Sequence, residues 1–174
     1  MKKLLWVLWL LPALSALADD PGSAVASLKA DLDAVVEAGA VRPVDGVTSA
    51  GAPSPEALRV FSDSGYVAVI DLRGDAEKTG DEAEVVATLG MDYRALPVTG
   101  EDAISFDNAR KLDQLIGAER GPVLVHCASG NRVGALLALR ASLNGANDAE
   151  ALAVGLEAGL STLEPVVRER LEAQ

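Results

Sequence analysis

Two short runs, Val67-Ala68-Val69-Ile70-Asp71-Leu72 and Val123-Leu124-Val125, are almost without polar residues. A strand with one wet face alternates apolar and polar side chains. A run without that alternation, bounded by turn residues, suits a strand buried on both faces of a parallel sheet. Gly65 precedes the first run and Gly121-Pro122 the second. Around them, helical spacing or composition marks residues 55–62, 81–89, 106–116, 133–143, 147–160 and 161–171. Ser54 before Pro55 is a cap followed by proline at the first helical position. Asn147 with Glu150, and Ser161 with Glu164, have capping-box spacing. Strands alternating with helices predict an α/β fold with a mostly parallel central sheet flanked by helices.

The ends of the chain set its expected compartment. Met1-Lys2-Lys3 is a basic start, residues 4–14 are apolar, and Ala16-Leu17-Ala18 is a small-x-small cleavage pattern. This reads as a signal peptide over residues 1–18, because the apolar run falls short of the ~20 residues a membrane span needs. The expected mature chain is periplasmic or secreted, with no membrane role after cleavage. Val25, Leu28, Leu32, Val35 and Val36 recur at helical spacing, so 19–40 is expected to be a helical lead-in to a domain over 41–174. A formal charge of −11 argues against nucleic acid or an anionic membrane as partner. An anionic or phosphorylated substrate stays open, since one loop can be positive on an acidic protein.

The chemistry concentrates in one place. The sole cysteine and sole histidine are neighbours in His126-Cys127-Ala128-Ser129-Gly130-Asn131-Arg132. This run joins a strand to a helix. Loop N–H groups and a helix N-terminus there converge on an anion. A thiol in that field loses its proton readily and becomes a nucleophile. An arginine can clamp an oxyanion with two parallel hydrogen bonds. Ligands of open α/β sheets also bind beyond the carboxyl ends of strands. One histidine with one cysteine is a poor ligand set, so neither metal nor cofactor is expected.

Three stretches together carry a family resemblance: Gly51-Ala52-Pro53-Ser54-Pro55-Glu56-Ala57-Leu58, then Ile70-Asp71-Leu72-Arg73 after Gly65-Tyr66, then His126 to Arg132. Over roughly residues 41–160 the chain resembles the phosphatase-like domain found fused to, or encoded beside, beta-lactamase-like hydrolases. That family is similar in fold to dual-specificity protein phosphatases. The resemblance implies phosphomonoester hydrolysis through a cysteinyl-phosphate, with Cys127 as nucleophile and Arg132 as oxyanion clamp. Ala128, Ser129, Gly130, Asn131 and His126 would make up the substrate-binding set, and His126 would also tune the thiol. It places a general acid in Thr99-Gly100-Glu101-Asp102, with Asp102 first and Glu101 second. A solvated acidic loop is the plain alternative.

Two departures keep other chemistries open. The loop has four residues between Cys127 and Arg132, where the phosphatase signature has five. Val133 stands where phosphatases carry a hydroxyl. The spacing equals that of rhodanese-type sulfurtransferases, in which Cys127 would hold a persulfide. No Gly-His-Ile segment of the rhodanese kind follows Arg73, however. A non-catalytic anion-binding or redox-sensing module is the third reading.

Overall fold

The computed structural model describes residues 24–26 and 28–173. The expected signal peptide, residues 1–18, lies outside them. The strands are β1 (Val25–Ala26), β2 (Val41–Arg42), β3 (Val47–Ala50), β4 (Ala68–Asp71), β5 (Asp92–Ala95) and β6 (Val123–His126). The helices are α1 (Leu32–Ala38), α2 (Pro55–Asp63), α3 (Glu82–Thr88), α4 (Phe106–Ala118), α5 (Asn131–Leu143), α6 (Asp148–Glu157) and α7 (Glu164–Glu172).

The central sheet is wholly parallel, in the order β3-β6-β4-β5. The last strand in sequence therefore lies inside the sheet. Every residue of β4 and β6 is buried, which is why neither shows alternation. Side chains still alternate between two cores. Ala68, Ile70, Val123 and Val125 face the α4–α7 side, while Val69 and Leu124 face α1, α2 and α3. Helix α5 is buried from Val133 to Leu139, as expected of a helix that is apolar all round. It crosses α6 so closely that a Cβ added at Gly134 would sit 2.2 Å from the Leu160 nitrogen and 2.6 Å from the Gly155 oxygen.

Two expectations need correction. The described residues of the expected lead-in, 24–26 and 28–40, are not one helix. Asp31 caps α1 by accepting from the amides of Asp33 and Ala34, and Gly39 ends it at φ 65°. Upstream, β1 pairs in parallel with β2, and at the sheet edge the Ala30 amide donates to the Ser49 carbonyl while the Ser49 amide donates to the Leu28 carbonyl. Val35 is fully buried in the same core as α2, so this segment is built into the fold rather than leading into it. At the other end, Ser161 does not cap α7. The helix begins at Glu164 with proline in its first turn, because residues 161–163 are held by Asn131, as shown below. The Asn147–Glu150 capping box and the Ser54 cap form as expected.

Candidate active site

The loop after β6 emerges between the carboxyl ends of β3 and β4. Ala50 and Asp71 flank His126 in register. Below the loop, Gly51 passes within van der Waals reach of Ala128, and the Ala52 amide donates to the Ala128 carbonyl at 3.3 Å. A side chain at residue 51 would crowd that crossing. Gly130 caps α5 at φ 89°, a left-handed turn that glycine adopts without strain. That turn aims its N–H at the Cys127 Sγ, 3.1 Å away. Cys127 itself is buried, at the floor of the loop.

Arg132 stands in the first turn of α5. Its Nη1 and Nη2 donate to the two carboxylate oxygens of Glu77, at 2.7 and 2.5 Å, and Nη1 also donates to the Val98 carbonyl at 3.0 Å. The Glu77 hydrogen bond, aided by the Cys127 sulfur nearby, holds the guanidinium more firmly charged than usual, against the effect of burial. Reciprocally, the Arg132 bond, followed by the Gly74 amide, holds the Glu77 carboxyl below the usual carboxylate range. Glu77 is thus an anchoring anion, unsuited to give up a proton. Sequence reading missed it, because it sits in an acidic stretch that resembles solvated surface.

A mouth of about 390 Å³ opens in front of this pair. It is lined by Thr99, Gly100 and Glu101 on one side, Thr162 and Leu163 on the other, with Ser129, Asn131, Arg132 and Glu77 between. Glu101 lines it and Asp102 does not. Residues 101–103 form a single 3₁₀ turn after Gly100, in which successive side chains point about 120° apart. Of the two candidate acids, Glu101, the second, lies on the mouth, and Asp102, the first, lies next to it outside the lining. A slightly larger cleft, about 430 Å³, lies between α2 and α3 near Arg59, Glu84 and Leu89, but it holds no nucleophile.

The expected roles of His126 and Asn131 also change. His126 is fully buried and cannot touch substrate. Its Nε2 lies 2.8 Å from Glu82 Oε1 and 3.7 Å from Asp71 Oδ1, while the buried Nδ1 has no hydrogen-bond partner among the described residues. A carboxylate only accepts, so Nε2 donates to Glu82. Asn131 uses its side chain on the turn before α7: Oδ1 accepts from the Ser161 and Leu163 amides, and Nδ2 donates to Thr162 Oγ1 at 2.7 Å. It therefore shapes the Thr162–Leu163 wall.

Beneath the loop lies a charged cluster. Arg73 donates from Nε and Nη2 to both oxygens of Asp71, at 3.0 Å each, and from Nη2 to Glu82 Oε2 at 2.8 Å. Tyr93 donates to Asp71 Oδ2 at 2.8 Å. Burial pushes the Asp71 carboxyl up, but its bonds from Arg73, with His126 and Tyr93, outweigh that and leave it lowered. Burial and then Asp71 raise the Tyr93 phenol well above its ordinary value. The Asp71–Arg73 pair is thus extended by three partners, Glu82, Tyr93 and His126. Asp71, Glu82 and His126 offer three donor atoms within 4.8 Å of one another. Arg73 already bonds both carboxylates, so a metal ion there would have to displace a guanidinium.

Residues 45–146 match the family described as polymorphic toxin system, DSP-PTPase phosphatase. The chain belongs to that family. As a DSP-PTPase it is a phosphoric monoester hydrolase of the protein tyrosine/dual-specificity phosphatase-like kind. It is 32% identical over 111 residues to a beta-lactamase hydrolase-like protein of Agrobacterium fabrum, and 34% over 100 residues to one of Xylella fastidiosa. These alignments take in 61% and 55% of this chain but 26% and 23% of the relatives, so the DSP-PTPase spans about a quarter of their length. A crystal structure of a candidate phosphatase from Neisseria meningitidis superposes with TM-score 0.63 at 26% identity, over 73% of this chain and 92% of that one. P. aeruginosa TpbA in complex with phosphotyrosine shares the fold, with TM-score 0.51 at 18% identity over 74% and 86%.

Proposed function

We propose that this DSP-PTPase hydrolyses phosphomonoesters through a cysteinyl-phosphate on Cys127. The carrying observation is the Gly130 N–H aimed at the Cys127 sulfur, at the head of α5 and beside the Arg132 guanidinium. The thiolate sulfur bonds to phosphorus as the ester P–O bond breaks. The leaving oxygen takes a proton from an acid at the mouth, a role we assign to Glu101 rather than Asp102. Water then attacks phosphorus, giving a proton to the carboxylate left on that acid, the S–P bond breaks, and phosphate and thiolate are released. Loop N–H groups and Arg132 stabilise the charge on the non-bridging oxygens throughout. Glu77 keeps the guanidinium facing the loop. The phosphotyrosine bound to the TpbA relative supports a phosphorylated side chain as the substrate type. The basic, apolar and small-residue start of the chain supports export, with cleavage after Ala18 as the expected result of N-terminal sequencing of the secreted form.

The deciding experiment measures phosphate release from an aryl phosphate and sulfur transfer from thiosulfate to cyanide on one preparation, each with Cys127→Ser as control. Cysteine-dependent phosphate release without sulfur transfer is expected, together with a phosphorylated enzyme trapped on rapid acid quench. Sulfur transfer alone would establish the persulfide chemistry that the four-residue loop also fits. Silence in both would leave anion binding.

A further inference from the structure

The stretch between Arg73 and Glu82 is an excursion with little to hold it. Residues 75–77 form one 3₁₀ turn with no buried residue, and of residues 74–81 only Gly74 is buried. Yet this excursion carries Glu77, the carboxylate that grips Arg132. A segment without apolar anchors stays in place through its ends and its polar ties. Its leading end is Arg73, locked on Asp71 by three hydrogen bonds, one from its own amide at 2.9 Å. Its trailing end is Glu82, the first residue of α3. One oxygen of Glu82 accepts from Arg73 and the other from His126, both at 2.8 Å. The side chain is 12% exposed. Glu82 thus brings the two ends of the excursion together and ties them to the residue that precedes Cys127.

We infer that Glu82 is a positioning residue: by closing the base of the 74–81 excursion on Arg73 and His126, it sets where Glu77 holds Arg132. This inference rests on the reading of Arg132 as the oxyanion clamp. Glu82 bonds Arg73 and His126 rather than Cys127 or Arg132. Its effect is routed through Glu77; a route through His126 to Cys127 would instead give equal penalties with and without Glu77. Two contacts in series give non-additive penalties, because once Glu77 no longer grips the guanidinium, misplacing the excursion changes little more.

The test is a double-mutant cycle of Glu82→Gln and Glu77→Gln. It is read as kcat/KM on an aryl phosphate and, without turnover, as the affinity for inorganic phosphate by calorimetry. Glu82→Gln keeps the size of the side chain but weakens its hold on the guanidinium. It is expected to lower both quantities about tenfold in the native background and less than about threefold in the Glu77→Gln background, a coupling within the range of residues that share a network. Melting curves accompany each variant. Equal penalties in both backgrounds would overturn the inference. So would a variant that melts lower yet retains full activity and phosphate affinity, since that is a structural role alone. If Glu82→Gln does not fold, the cycle is run with Glu82→Asp, which keeps the charge but is too short to span both partners, with the same two outcomes. A native protein that releases no phosphate through Cys127 would sink the phosphatase reading instead. The phosphate-affinity cycle would still decide on Glu82.

Discussion

The two ends of the Cys127–Arg132 loop are held by opposite means. At the cysteine end, β6 lies between two parallel neighbours, His126 is fully buried, and Asp71, Arg73, Glu82 and Tyr93 form a closed set of hydrogen bonds beneath it. At the arginine end, the guanidinium reaches a mouth walled by turns, and its partner Glu77 stands on a segment with no buried anchor. The nucleophile therefore sits on a rigid platform, and the clamp on a part able to yield when substrate arrives. Damage at the first end should appear as lost stability, except at Glu82, which joins the two ends and should show in turnover as well. Damage at the second should appear as lost turnover in a folded protein.

The largest expected effect tests the first half of that contrast. Asp71→Asn leaves Arg73 buried with only Glu82 to answer its charge. Removing one partner of a buried pair typically costs about 3–5 kcal/mol, so a large drop in melting temperature is expected. The pH dependence has a defined sign. Asp71 and Glu77 both have lowered values when folded. Their contribution is fully present above the unfolded carboxylate range, about pH 4, and is lost as pH falls through the lower folded values. Stability should stay level from neutral pH down to about 5 and decline below about 4, with a shallower decline in Asp71→Asn. A variant as stable as the native protein would show that the cluster is not the platform.

Arg132→Lys tests the other half. A lysine keeps the charge but not the two-pronged donor set. Loss of one preorganised donor to a developing oxyanion typically costs about 10²–10³ in kcat, and that loss is expected here with a melting temperature close to native. Gly134→Ala returns to the buried side. Its methyl would meet backbone atoms of Leu160 and Gly155 at 2.2–2.8 Å, which cannot yield as a side-chain tip would. Such overpacking costs about 1–3 kcal/mol. Differential scanning calorimetry should show it, while the enzyme that remains folded keeps its turnover.

The rigid end was largely legible in the amino-acid sequence and the yielding end was not, for a physical reason. Burial on both faces leaves unbroken apolar runs in β4 and β6, and a cysteine at the strand end points to the loop. Caps at Ser54 and Asn147 are local, three residues from their partners. By contrast, Glu77 meets Arg132 across 55 residues and Glu82 meets His126 across 44. In an acidic chain, residues 75–84 look like solvated surface until the arginines they answer are in place. Asn131 resembled a phosphate ligand because of its place in the loop. Its actual partners, residues 161–163, lie 30 to 32 residues away and resembled the start of a helix.

The smallest expected effect separates two adjacent carboxylates at the mouth. If the wall formed by residues 99–101 delivers the proton, Glu101→Gln should slow turnover only where the leaving group needs protonation. Phenyl phosphate should lose about 10²-fold, the low end of general acid catalysis. An aryl ester with an acidic phenol should lose little, because its oxygen departs as the anion. Asp102→Asn should leave both rates near native, since Asp102 is not among the residues that line the mouth. The reverse pattern, with Asp102→Asn selective and Glu101→Gln silent, would mean that the turn rotates when substrate binds. In that case the yielding region would extend from the 74–81 excursion to the opposite wall, and the contrast with the buried cluster would be sharper.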